Sequence, residues 1–132
     1  MRVPLFILGV AGLLWSGCDP VARETITVRL GGTNDASVAT NALALIARVL
    51  ANDDFNPSKL APEVRSNTPS LVAAYGDAVE LHLGCAVYHQ PGEIQIEFNQ
   101  LGRYHLAPQG IRARDNLRKA LSEAFGNEAV AP

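Results

Sequence analysis

The first clear signal in the chain is an alternation. From Glu24 to Leu30, Ile26, Val28 and Leu30 fall on one side and Thr25, Thr27 and Arg29 on the other, the period of a half-buried strand. Gly31-Gly32-Thr33-Asn34-Asp35 then reads as a turn followed by a helix cap. Beyond it Val38, Ala42, Leu45, Ile46, Val49 and Leu50 recur at helical spacing, and the helix is predicted to stop near Asn52-Asp53-Asp54. The stretch from Phe55 to Ala78 is irregular, with prolines at 57, 62 and 69. Within it Thr68-Pro69, Ser70 to Tyr75 and Gly76 suggest a short capped helix.

Alternation returns from Val79 to Tyr88, with Val79, Leu81, Leu83, Cys85 and Val87 inward, and from Glu93 to Gln100, with Ile94, Ile96 and Phe98 inward. A four-residue loop, His89-Gln90-Pro91-Gly92, would set Val87 against Ile94, Cys85 against Ile96 and Leu83 against Phe98. A slip of two residues keeps those faces, and a slip of one exchanges them. Arg103 to Ala107 offers an optional further strand. Ile111 to Phe125 follows as a second helix, with Ala113, Leu117, Ala120, Leu121 and Ala124 as its core stripe and Gly126 as its stop. The order β-α-β-β-(β)-α predicts an α+β two-layer sandwich, a small and mainly antiparallel sheet with both helices on one face. The single domain is expected to span residues 24–126, with 127–132 a flexible tail.

The N-terminus changes the picture. Met1-Arg2 precedes an apolar run from Val3 to Trp15, too short for the ~30 Å hydrocarbon core of a bilayer but suited to a secretory leader. Leu14-Trp15-Ser16-Gly17-Cys18 resembles the lipobox of bacterial lipoproteins. That resemblance covers the leader alone. It implies that residues 1–17 are a signal peptide, that Cys18 is lipidated with acyl chains such as palmitate and becomes the new N-terminus, and that the mature protein is membrane-anchored on the periplasmic side. Asp19 resembles the signal that retains such lipoproteins, which favours the inner over the outer membrane. The competing reading is an ordinary signal peptide with Cys18 left as a thiol. Residues 18–23 form a short tether, reaching under about 20 Å even when extended, so the domain is expected to sit near the bilayer. Lipidation of Cys18 also leaves Cys85 as an unpaired cysteine.

Composition sets limits on the rest. The chain has 132 residues, 48% hydrophobic and 18% charged, with a formal charge of −2, so one folded core is the natural size and no basic surface for nucleic acid is apparent. His82, His89 and His105 have no metal-ligand spacing, and neither a metal nor another cofactor is expected. Cys85 lies on the inward register, where a core role outweighs that of a nucleophile. Gly31-Gly32 lacks the lysine and spacing of a P-loop, and no Gly-x-Ser-x-Gly elbow occurs.

The remaining hint is a surface. With both helices on one sheet face, the other carries Arg29, His82, Gly84, Ala86, Tyr88, Gln95 and Glu97. Gly84 and Ala86 leave a shallow trough there, rimmed by Tyr88, His82 and Arg29, and a partner protein of the envelope could lie in it. An ordinary solvated face with a glycine bulge is the plainer reading. Arg114 and Arg118, one helical turn apart, suggest contact with anionic headgroups or, more simply, cover for the core edge. The expectation is a non-enzymatic binding or assembly accessory at the membrane. The alternative is an inhibitor or immunity protein against a wall-degrading or toxic enzyme, and a small hydrolase ranks third.

Overall fold

The alternation that begins at Ile26 extends further toward the N-terminus than its apolar residues suggest. The computed structural model describes residues 19–31, 36–78 and 82–132. In it β1 runs Val21–Arg29, with Ala22, Ile26 and Val28 buried. Its start overlaps the predicted tether, whose last three residues are strand. The lipobox and Cys18, the predicted cap Thr33 to Asp35, and Val79 and Leu81 lie outside the described residues.

Helix α1 is Ala36–Asn52, burying Ala39, Ala42, Ile46 and Leu50 along one stripe. Asp54 then takes φ 65° and turns the chain into β2, Phe55–Pro57, a left-handed conformation that aspartate tolerates better than most residues. Helix α2, Pro62–Asn67, starts on its proline and buries nothing. The chain then enters β3, Leu71–Asp77, which overturns the helix expected over Ser70 to Tyr75. A helix that short gains little by itself, whereas as a strand it pairs with β4, directs Ala73 and Tyr75 to the core and satisfies β4's second edge.

Strands β4, Leu83–Gln90, and β5, Glu93–Leu101, form the predicted hairpin, but in the register two residues away. Val87 faces Ile96, Cys85 faces Phe98 and Leu83 faces Gln100. The turn is Pro91-Gly92 alone. Proline presets the first central φ and Gly92 supplies 79° at the second, the arrangement a type II turn requires, so His89 and Gln90 belong to the strand. Arg103 to Ala107 forms no strand. Helix α3, Pro108–Phe125, begins on its proline and ends at Gly126, φ 92°. The expected flexible tail is ordered: Asn127–Ala129 makes a 3-10 turn and β6, Val130–Ala131, pairs with Thr27 and Val28 of β1.

The result is an α+β two-layer fold, a six-stranded antiparallel sheet in the order β2-β3-β4-β5-β1-β6 with α1 and α3 on one face. Between the layers Ile26, Val28, Ile94, Ile96 and Phe98 meet Ile46, Leu50, Leu117 and Leu121, all essentially without exposure. Phe55 closes the β2 side with its ring edge-on to Phe98 at 6.0 Å, a favoured aromatic geometry. Gln100 continues the inward period past Phe98 and is fully buried. Its Oε1 accepts the Ala107 N–H at 2.6 Å, where α3 begins, while its Nε2 has no hydrogen-bond partner among the described residues.

Candidate functional site

Pairing of the strands fixes how the open face is tiled, because residues opposite one another share a face. One row across it reads Asn56, Gly76, Gly84, Asn99 and Arg23, the next Ala74, Ala86, Glu97 and Thr25, and a third Leu71, Tyr88, Gln95, Thr27 and Ala131. Gly76, Gly84, Ala74 and Ala86 therefore form a two-by-two patch with almost no side chain. The trough foreseen at Gly84 and Ala86 is twice as wide as β4 and β5 alone would make it. Ala74 and Gly76 lie in the segment whose sequence pattern suggests a helix; the signal that places them on this face is the small-residue pairing with β4.

Its walls are polar. Glu97 lies 3.7 Å from the Nε of Arg23, with 29% of its side chain exposed. Gln95 donates to Glu93 at 3.3 Å, away from the patch. The Asn99 amide leans over Gly84, its Oδ1 only 3.2 Å from where a Cβ would stand, and the Ser58 hydroxyl lies 3.9 Å from where a Cβ on Gly76 would stand. The floor is thus backbone and methyl groups, edged by amides and one ion pair. Such a surface can accept a flat or extended partner through hydrogen bonds.

Of the expected residues, the fold brings Gly84, Ala86, Tyr88, Gln95 and Glu97 together. Arg29 stands apart. Arg29 pairs with Glu93, four residues along the strand from the row of Glu97, or about 13 Å. His82, two residues before Gly84 and at most about 7 Å from it, borders the other end of the patch, where its carbonyl accepts the Leu101 N–H at 3.1 Å. The arginine at the patch is Arg23, which sequence reasoning assigned to the tether.

On the helix side, Arg114 is ion-paired with Glu24 of β1 and with its neighbour Asp115, and only 19% of its side chain is exposed. Its guanidinium is held charged above the ordinary arginine range, chiefly by the bond to Glu24. That pairing removes it as a headgroup contact. Arg118 lines a surface depression with Asp115, Lys119, Ser122, Glu123 and Asn127. A second depression, between α1 and α3, is bordered by Asn41, Leu45, Arg48 and Phe125. Neither includes a histidine.

Cys85 faces the core directly opposite Tyr75, and burial first, then Glu97, pushes its thiol far above the usual range. It is a core side chain and not a thiolate. The Tyr75 hydroxyl is raised in turn, by burial and by Cys85. His82, His89 and His105 are all exposed and sit before β4, at the end of β4 and after β5. Glu97 does not meet them in a pocket. Among the described residues no three histidine, cysteine, aspartate or glutamate side chains gather as metal ligands would, and no helix is long and apolar enough to cross a membrane.

Comparison with protein-family models, with curated proteins and with solved structures found no match.

Proposed function

We propose that the chain is a lipid-anchored envelope protein, attached through Cys18, that acts as a non-enzymatic binding or assembly accessory at the periplasmic surface of the inner membrane. The observation that carries the reading is the brevity of the link. β1 begins at Val21, and the carbonyl of Pro20 already accepts the Gly102 N–H at 2.7 Å. A domain so closely tied can meet only what is at the bilayer or comes to it. The open face with its patch at Gly76, Gly84, Ala74 and Ala86 is the surface this reading gives to a protein partner, because its polar walls suit recognition and its flat floor does not suit catalysis.

Two measurements test it. Labelled palmitate should enter the wild-type protein, which should fractionate with membranes, while Cys18→Ser should be unlabelled and soluble; an unlabelled wild type refutes the anchor. A photo-cross-linking side chain at Ala86 should give one discrete adduct with a membrane component, lost in Gly84→Arg. Gly84 does not have a left-handed φ and its Cβ direction meets only the movable Asn99 amide and, at 3.5 Å, the Tyr75 carbonyl, so that substitution fills the trough without breaking the fold. Absence of any adduct refutes the binding role, and an adduct with a secreted wall-degrading enzyme moves the assignment to an inhibitor.

A further inference from the structure

At the end of the domain where the tether enters, several apolar side chains are left uncovered. Val21 pairs with Leu101 on the open face, and they are 39% and 50% exposed. Three residues on, in the loop between β5 and α3, Tyr104 is 82% exposed, the most of any large apolar or aromatic side chain described. Arg103 and His105 flank it and are exposed too. Val64 and Val72 are exposed to a similar degree elsewhere, but Val21 and Leu101 face each other and Tyr104 follows three residues on, so these three fall at one corner of the domain.

The location of that corner relative to the membrane follows from covalent geometry. Cys18 is two residues from Pro20, so their Cα atoms are at most about 7 Å apart. Pro20 is itself hydrogen-bonded to Gly102, which opens the loop bearing Tyr104. The polar layer on each side of a bilayer is about 5–8 Å deep, the difference between its full and hydrocarbon thicknesses. An acyl-bearing Cys18 at the base of that layer therefore holds Val21, Leu101 and the loop within it or against it. The turn at Pro91-Gly92 is at the other end of the nine-residue strand β5, about 30 Å away.

We propose that Val21, Leu101 and Tyr104 form a membrane-contact surface, in which the Tyr104 ring and the two aliphatic side chains enter the headgroup region of the bilayer that holds the lipid. This deepens the lipoprotein reading and rests on acylation at Cys18. The chemistry of the corner selects a lipid surface over a protein partner. Tyrosine is an amphipathic ring suited to the boundary between hydrocarbon and water, and Arg103 beside it can meet anionic phosphate. Asp19 is the acid on the tether itself; Asp77, at the end of β3, is buried and three strand spacings from β1, about 14 Å, and Asp54, ahead of β2, is four spacings away. The contact fixes the domain's orientation. With its strands rising from the bilayer, the open face stands upright and can receive a partner from the side.

The test uses the full-length acylated protein reconstituted in vesicles of phosphatidylethanolamine and phosphatidylglycerol that carry a nitroxide quencher near the headgroup. Because Cys85 is buried, a cysteine placed at His105 or at His89 can be given an environment-sensitive fluorophore selectively. With co-flotation established, the label at 105 should lose most of its emission to the quencher and the label at 89 should keep its own. Equal emission at both sites in co-floating protein overturns the contact and leaves the anchor standing. Protein that does not float with the vesicles overturns both. Energy transfer between labels at 105 on two copies, without quenching, would show that a second copy covers the corner and would also overturn the contact. Leu101→Asp should reduce quenching at 105 while acylation and flotation persist; unchanged quenching means that the corner is only near the membrane and does not enter it.

Discussion

Cys85 shows how a single position can carry a chemical expectation that the fold removes. It lies on β4, 2% exposed, between the core and Tyr75. A thiolate there would lose its hydration and face the field of Glu97, so the thiol stays protonated throughout the ordinary pH range. Alkylation of Cys85 at pH 8 should therefore be undetectable in the native protein and rapid in denaturant, and native-state labelling would contradict its burial. Gln100 is the converse case, a polar residue where the period demands an apolar one. Its side chain supports the first turn of α3 by accepting from Ala107. Gln100→Ala removes that bond and opens a cavity beneath Leu83, its opposite number on β4, for an expected loss of about 2–4 kcal/mol in denaturant unfolding. A loss under half a kilocalorie would mean that Ala107 finds another acceptor.

Among the elements, what was legible depended on whether an unbroken period was present. β1, β5 and most of β4 alternate strictly, and α1 and α3 carry apolar stripes, so all five are present, though β1 starts at Val21 and β4 runs Leu83–Gln90 where the alternation runs from Val79 to Tyr88. β3 does not alternate. Its pairing shifts between Leu71 and Ala73, and such a bulge adds a residue and breaks the two-residue repeat, leaving Leu71-Val72-Ala73-Ala74-Tyr75 to resemble a helix. β2 and β6 are three and two residues long, below any periodic signal, and form only because β3 and β1 present edges. The hairpin register turned on the Pro91-Gly92 pair rather than on the apolar pairs, which two registers satisfy equally. The same misreading hid half of the trough, and the overlap of β1 with the tether hid Arg23. Gly92→Ala forces a β-carbon into a φ of 79° and should cost about 1 kcal/mol. Removal of residues 127–132 should cost about 1–3 kcal/mol through the lost β1 pairing and the packing of Val130 against the core. An unchanged melting temperature after that truncation would restore the view of the C-terminus as a frayed tail.

At the scale of the whole molecule, position relative to the bilayer is the property on which the functional reading turns, and tether length controls it. The native link allows at most about 7 Å between Cys18 and Pro20, so lipid, loop and open face form one geometry. Insertion of about 20 glycine and serine residues between Asp19 and Pro20 would lengthen the link to a root-mean-square span of about 25 Å. It alters no side chain in the core. The leader and Asp19 stay intact, so palmitate labelling, membrane fractionation and melting temperature should match the wild type. Quenching at residue 105 should fall, because only the weak contacts of Val21, Leu101 and Tyr104 then oppose the freedom of the linker. Cross-linking from Ala86 to a membrane partner should fall with it, since the partner no longer meets an oriented face. If cross-linking survives while quenching is lost, the open face binds its partner without help from the membrane. If both survive, the three side chains at the corner hold the domain to the bilayer more strongly than their exposed area implies, and the tether is an address alone.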